Sequence, residues 1–327
     1  MSVKLSSFLQ WKINVCLYQR LGWKLTYQYL RLLGTIYYFF NWEEKQRIER
    51  SLEQVFEGKR ERSKIQELKR QVFQGILAHY YEKIFNAYEE LERLRGFFEA
   101  SISTGTGLVR LERGLSRGNG VLFITGHYGG IEYIPIFLAL KGYPISVVAK
   151  FSTGHLKETL YMKTKDIGLR IIDAGEEKNT VVQVIKELRN NRVVFLECDE
   201  IKEWRPSRNE SMLFLNKRVG VDKTINLIQR RTDATVIFGI LHRLSLNRYQ
   251  LILNDYEGIL HALGRETYSV GVAILKYLER FIYAHPDAWY QWKAYEEIGR
   301  THSVPGRKRA SAQGISLTRP TLTGKGA

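Results

Sequence analysis

Residues 121–132 read VLFITGHYGGIE, and this stretch decides how the rest of the sequence is interpreted. Its first four residues are apolar and β-prone, as expected for a strand buried on both faces. The glycines that follow indicate a tight turn, and residues 133–140 have helical character. The stretch therefore predicts a strand–turn–helix unit with a histidine, His127, at the exit of the strand.

Strand-like and helix-like segments alternate from about residue 120 to residue 260. The predicted strands are 121–124, 145–149, 169–172, 192–196, 235–241 and 249–253. The predicted helices are 131–140, 156–166, 180–190, 222–231 and a final one at 266–283. This alternation predicts an α/β fold with a mostly parallel central sheet flanked by helices. We expect a helical region at 1–97, the α/β core at 98–300 and a basic disordered tail at 301–327.

The positive charge of the chain is concentrated at its two ends. The net charge is +16, and residues 1–42 and 303–327 each carry five basic residues and no acidic one. Cys16 and Cys198 form no metal or redox spacing, which favours a reduced cytoplasmic compartment. No convincing signal peptide is present. No apolar run reaches the roughly 18 residues of a confident membrane span.

Residues 1–42 interleave their basic residues with eleven aromatic ones. The aromatic residues are Phe8, Trp11, Tyr18, Trp23, Tyr27, Tyr29, Tyr37, Tyr38, Phe39, Phe40 and Trp42. This composition favours amphipathic helices that lie in a membrane interface, with rings at headgroup depth and Lys or Arg near anionic lipid. The alternative is a helical layer packed on the core with solvated lysines. We expect a membrane-associating region that does not cross the bilayer.

His127 has the setting of a general base, because ligands of α/β sheets gather at the carboxyl ends of the strands. Glu132 can fold back on the imidazole if it lies in the first turn of the following helix, and it would then fix the tautomer. Gly129 and Gly130 permit close substrate approach, and early helix amides would face an oxyanion. The other histidines, His79 among them, have no evident acid partner. No metal site is indicated.

Five segments in order resemble motifs of one enzyme family. Residues 126–132 (GHYGGIE) resemble the His-x4-Asp/Glu motif of the glycerolipid acyltransferase superfamily. Four further segments resemble its acidic block, its Phe-Phe-Gly-Arg-Pro turn, its Arg-Thr-Gly-Ala segment and its His-Pro-Glu-Gln-Trp-Tyr ending. They are 195–200 (FLECDE), 214–220 (FLNKRVG), 230–234 (RRTDA) and 284–292 (AHPDAWYQW). The chain is most similar to the bacterial lipid A lauroyl/myristoyl acyltransferases and to relatives that acylate mannosylated phosphoinositides.

The chain departs from the family pattern at several positions. Glu132 replaces the commoner Asp, and Asn216 and Val219 replace Gly and Pro in the turn motif. Lys165 stands where relatives usually have Arg, so a point charge replaces a bidentate fork.

The resemblance implies transfer of a fatty acyl chain to a hydroxyl of a lipid A-type or related glycolipid, without a cofactor. The donor would be an acyl carrier protein or coenzyme A thioester. It also implies a peripheral enzyme on the cytoplasmic face of the bacterial inner membrane. His127 and Glu132 would be catalytic. Substrate-binding candidates are Gly129, Gly130, Lys150, Lys165, Asp199, Glu200 and Arg218. For Asp199 and Glu200 the alternative is ordinary solvated charges at a strand end, and for the basic residues it is surface charge.

Three other functions are alternatives for this sequence. A serine hydrolase needs a Gly-x-Ser-x-Gly elbow, which the sequence lacks. A nucleic-acid-binding protein would explain the charge, but the charge lies at the ends and in no recognised module, so no nucleic acid is expected. A catalytically silent lipid-binding relative stays open.

Overall fold

The structure is a computed structural model, and it describes residues 5–151, 153–177, 179–200 and 204–298. The helices are α1 Leu5–Leu9, α2 Lys12–Leu21, α3 Trp23–Phe40, α4 Trp42–Phe56, α5 Arg62–Tyr88, α6 Leu91–Ser101, α7 Gly107–Ser116, α8 Ile134–Leu140, α9 Gly154–Lys165, α10 Thr180–Arg189, α11 Lys223–Thr232, α12 Tyr256–Leu263 and α13 Val270–Ala284. The strands are β1 Ile102–Ser103, β2 Val121–Thr125, β3 Ile145–Ala149, β4 Arg170–Asp173, β5 Val193–Glu197, β6 Pro206–Phe214, β7 Lys217–Asp222, β8 Thr235–Ser245 and β9 Arg248–Asp255. Short 3-10 turns span Ile131–Tyr133, Pro286–Ala288 and Gln291–Glu297. The predicted tail at 301–327 lies outside the described residues.

Seven strands form one sheet in the order β1-β9-β8-β2-β5-β3-β4. Neighbouring strands run parallel except β8 and β9, which are antiparallel. The mostly parallel sheet flanked by helices confirms the predicted fold class. All six predicted strands are present, with ends that differ by at most four residues. The predicted helix at 131–140 begins as a 3-10 turn and continues as α8.

Strand β2 lies at the centre of the sheet, between β8 and β5, and all of its residues are buried. A strand with neighbours on both edges and helices on both faces needs apolar side chains throughout, which is why VLFI precedes the turn. Phe123 stacks on Phe195 of β5 with ring centroids 4.1 Å apart. Truncating Phe123 to Ala would cost about 3–5 kcal/mol of unfolding free energy.

The N-terminal helices share a hydrophobic core with the sheet, because one buried cluster contains Leu52, Ile76 and Leu122. The aromatic residues of this region range from buried to exposed, and four of the eleven lie between the two extremes. Tyr18, Tyr37 and Tyr38 are buried, whereas Trp11, Phe39, Phe40 and Trp42 are at least half exposed. Within the described part of the chain, no helix combines the length and apolar character needed to span a bilayer. Membrane association of this region stays a prediction.

The hairpin of β6 and β7 and helix α12 were not anticipated from the sequence. Leu215 and Asn216 form the hairpin turn with φ of 48° and 69°. Two successive positive φ values define a type I′ turn, in which Asn is well accepted. This explains how Asn216 can stand where the similar motif has Gly.

Candidate active site

A cavity of about 750 Å³ lies at the carboxyl ends of the central parallel strands. Its wall includes Thr125, Ala149 and Glu197, which are the last residues of β2, β3 and β5. This is the edge at which open α/β sheets bind ligands, and the volume is typical of small-molecule clefts. Ile48 of α4 and Ile76 of α5 contribute further apolar wall. The N-terminal helices therefore help to form the cavity.

His127 and Asp199 are brought together by the register of two neighbouring strands. Thr125 at the end of β2 pairs with Glu197 at the end of β5. His127 and Asp199 each lie two residues further along, so they meet just beyond the sheet. Nδ1 of His127 lies 2.8 Å from Oδ1 of Asp199. The backbone amide of His127 donates to the same carboxylate at 2.9 and 3.1 Å.

Asp199 is a buried carboxylate that accepts hydrogen bonds from His127 and Trp289. The indole Nε1–H of Trp289 donates to its Oδ2 at 2.7 Å. Burial alone would raise the pKa of Asp199, but the charge and hydrogen bonds of His127 and the bond from Trp289 outweigh it and lower the pKa below its usual value. An ionised Asp199 can only accept, so Nδ1 of His127 carries a proton. In the neutral imidazole the lone pair is then on Nε2.

Nε2 of His127 faces the cavity wall beside two more carboxylates. It lies 3.2 Å from Oε2 of Glu197 and 3.1 Å from Oε1 of Glu200. Burial opposes protonation of His127, but Glu197 and Asp199 outweigh it and raise the pKa of the imidazole well above its usual value. The pKa of Glu197 is raised to about 7, chiefly by desolvation and then by repulsion from Glu200 and Asp199, against the attraction of His127. The carboxylates around Nε2 therefore favour the protonated imidazole of His127, and burial among them favours the protonated form of Glu197.

The segment from Pro286 to Tyr290 holds the histidine turn in place. The amide of Tyr290 donates to the carbonyl of His127 at 3.2 Å, and Tyr128 and Trp289 form an isolated β-bridge. The ring of Tyr290 meets His127 edge-on at 5.2 Å between centroids. Trp289 is fully buried, and its indole also binds Asp199.

Glu132 does not orient His127, so the predicted pairing is wrong. Its Oε1 lies 3.1 Å from Nζ of Lys83 and 3.7 Å from Nε2 of His79, both on α5. Asn86, one turn further along α5, donates to the carbonyl of Glu132 at 2.8 Å. The 3-10 turn aims the Glu132 side chain at α5 rather than back at the imidazole, and Asp199 occupies the Nδ1 side. Glu132 thus ties the histidine turn to α5.

Gly129 and Gly130 allow the histidine turn to pack closely against β8. Their amides donate to the carbonyls of Ala288 and Leu241, both at 2.8 Å, and are not available to an oxyanion. Gly129 has a φ of +58°, and a Cβ there would lie 2.1 Å from the carbonyl oxygen of Leu241. The expected contact of these two glycines with substrate stays a prediction. Their function is to let the turn lie directly against β8.

The three basic candidates are not together. Lys150 lines the cavity that contains His127. Lys165 lines a separate shallow groove near α9 and β4. Arg218 lies on β7 and donates to Oγ of Ser211 at 3.2 Å. Of these, only Lys150 is positioned to meet a ligand beside His127, and Glu200 also lines that cavity.

Glu197, His79, Lys83 and Tyr290 also belong to the site, although the sequence did not single them out. His79 and Lys83 are one helical turn apart on α5, and two basic residues at helical spacing in its mostly buried second half are the signal that could have found them. Glu197 is the last residue of β5 and lies two residues before Asp199 in the acidic block, and both side chains contact His127. Tyr290, whose ring stacks on His79 with centroids 3.5 Å apart, gave no comparable signal.

An imidazole oriented by a carboxylate, with its second nitrogen at the wall of a cavity, can take a proton from a hydroxyl once that nitrogen is deprotonated. Comparison with known protein families points to the same class of reaction, acyl transfer. The family profile described as bacterial lipid A biosynthesis acyltransferase matches residues 5–293. No curated protein matches the chain.

Proposed function

The chain belongs to the bacterial lipid A biosynthesis acyltransferase family, and from that premise we propose that it acylates a hydroxyl of a lipid A-type or related glycolipid, with an acyl carrier protein or coenzyme A thioester as donor. The observation that carries the proposal is Nε2 of His127, oriented through Nδ1 by Asp199 and opening on a cavity of about 750 Å³.

In the proposed reaction the acceptor hydroxyl displaces the carboxylates from Nε2 of His127. The hydroxyl oxygen attacks the thioester carbonyl carbon while its proton passes to Nε2. The C–S bond then breaks, and the leaving thiolate takes the proton back from Nε2. Asp199 stabilises the imidazolium between the two steps. No covalent acyl-enzyme is required.

The oxyanion of the tetrahedral intermediate needs donors other than Gly129 and Gly130. Ile131 and Glu132 begin the 3-10 turn and both line the cavity. The first amides of a helical turn have no acceptor within that turn. We assign the stabilising role to these amides, whose local dipole favours negative charge.

The acyl chain and the lipid acceptor need apolar surroundings, which two parts of the molecule offer. The cavity wall carries Ile131, Val147, Leu156 and Phe195 among its apolar residues. The exposed rings of the N-terminal helices offer a surface for the interface of an anionic membrane, in accord with a peripheral location on the cytoplasmic face of the bacterial inner membrane.

The test is acyl transfer by the purified full chain. Lauroyl-acyl carrier protein and lauroyl coenzyme A are each incubated with an underacylated lipid A-type glycolipid, and the products are examined by mass spectrometry. Mass gain of one acyl group on the glycolipid is expected with at least one donor. Binding of the glycolipid with no acylation from either donor would instead favour the catalytically silent alternative.

A further inference from the structure

We propose that Nε2 of His127 and the carboxylates of Glu197 and Glu200 form a binding site for one divalent cation of borderline softness, such as Zn²⁺, and that the bound ion turns off the base. One ligand atom from each residue lies within 4.8 Å of the other two. The inhibitory consequence rests on the proposed function. The site itself does not.

Two of the three donor spacings are close to those around a zinc ion, and the third, between the two carboxylates, is within 4.8 Å. Zinc binds imidazole nitrogen and carboxylate oxygen at about 2.0–2.2 Å, which places tetrahedral ligands roughly 3.3–3.6 Å apart. Nε2 of His127 is 3.2 Å from Oε2 of Glu197 and 3.1 Å from Oε1 of Glu200. One imidazole with two carboxylates is a donor set typical of zinc and similar metals.

The surroundings of His127 provide an independent indication. A metal-binding histidine nearly always donates its other ring N–H to a carboxylate or carbonyl, which fixes the tautomer and raises the basicity of the ligand. Asp199 supplies that carboxylate at 2.8 Å from Nδ1, and Trp289 holds Asp199 in turn. Nε2 is therefore already aimed at the proposed ion position.

Charge also favours a cation at this position. Glu197 and Glu200 lie on the same side of the cavity. In the part of the chain that the structure describes, their ion-pair contacts within 4.0 Å are both with the imidazole of His127. The nearby Lys83 is bonded to Glu132 instead. A divalent ion would compensate both carboxylates and release the second proton from His127. Three protein ligands leave a fourth position toward the cavity.

Binding of the ion takes the Nε2 lone pair that the acceptor hydroxyl requires. Transfer should therefore fall as zinc fills the site and recover when a chelator removes it. This makes the catalytic histidine a point at which free zinc controls acylation.

Zinc titration by calorimetry on the full chain, cleared of metal with EDTA and dialysed, tests the site without turnover. One equivalent is expected to bind. His127→Ala, Glu197→Gln and Glu200→Gln should each weaken it by roughly tenfold or more. Glu177→Gln is the matched control, because Glu177 lines the same cavity outside the triad. Circular dichroism establishes that each variant is folded. The visible spectrum of the Co²⁺-loaded chain should show a nitrogen and oxygen ligand field that His127→Ala abolishes.

Absence of stoichiometric binding, or equal binding by all variants, would overturn the site. Acyl transfer that zinc leaves unchanged or increases would overturn the inhibitory role alone. A chain that binds zinc through the three residues but acylates nothing with or without chelator would refute the proposed function and leave the site standing.

Discussion

Replacing Asp199 by Asn tests which carboxylate orients His127. Asp199 accepts hydrogen bonds from Nδ1 and the backbone amide of His127 and from Nε1 of Trp289. Asn offers one acceptor oxygen and an NH₂ group that can only donate. If the NH₂ faces Nδ1, the ring proton moves to Nε2 and the base is lost. An orienting carboxylate of this kind is worth about 10³–10⁴ in kcat, or roughly 4–5.5 kcal/mol of transition-state stabilisation.

The same substitution has a separate cost in stability. At least one buried N–H donor loses its acceptor, which costs about 1–3 kcal/mol of unfolding free energy. That loss lowers the melting temperature by several degrees without unfolding the chain at 25 °C. The two effects are distinguishable, because a folded Asp199→Asn variant with native circular dichroism should still be nearly inactive.

The assay is the initial rate of transfer from radiolabelled lauroyl thioester to the glycolipid, with Glu132→Gln as the matched variant. Glu132 touches Lys83 and His79 rather than His127, so the activity of Glu132→Gln should exceed that of Asp199→Asn at least tenfold. The reverse order, with Asp199→Asn nearly unimpaired, would refute the assignment and restore Glu132 as the orienting acid.

Three further predictions concern pH, the support of the turn and the membrane. Glu197 raises the pKa of His127, so kcat/KM should increase with pH until the imidazole is neutral. Glu197→Gln should move this limb of the pH–rate profile to lower pH. A limb that does not move would contradict an effect of Glu197 on the pKa of His127. Glu82→Ala leaves the guanidinium of Arg243 buried without its carboxylate partner. The free energy of unfolding measured in urea should therefore fall by about 3–5 kcal/mol. A fall below about 1 kcal/mol would show that another group compensates the charge of Arg243. The double variant Phe39→Ser/Phe40→Ser should reduce cosedimentation with anionic liposomes about tenfold or more. Val109→Ser, which changes an exposed residue on α7, is the control and should not reduce it. Equal effects would argue against a specific membrane-binding surface at Phe39 and Phe40.

The fold was accessible from the sequence because its signals are local. The continuous apolar run at 121–124 predicts a strand buried on both faces, and the helical periodicity between the predicted strands implies parallel connections. The hairpin of β6 and β7 was hidden because its turn uses Leu215 and Asn216 rather than Gly. Leu215 adopts a positive φ where its amide bonds to Glu279 and its carbonyl accepts from Tyr295. Such tertiary support leaves no local pattern.

The site was only partly accessible for a related reason. His127 was identified from its place after β2, but its partner depends on which strand lies beside β2. The sheet order puts β5 there, and the pairing of Thr125 with Glu197 brings Asp199 to Nδ1. Glu132, nearer in sequence, is directed to Lys83 by the 3-10 turn. Sequence distance therefore favoured the wrong acid, and strand register decides the right one.

The most direct test of the central claim is the transfer rate of His127→Ala measured with labelled lauroyl thioester and glycolipid. Substitution of a cavity-facing base should leave the circular dichroism spectrum native, while the rate falls by at least about 10³-fold. A folded His127→Ala enzyme that acylates the glycolipid at the wild-type rate would contradict the assignment of His127 as the base.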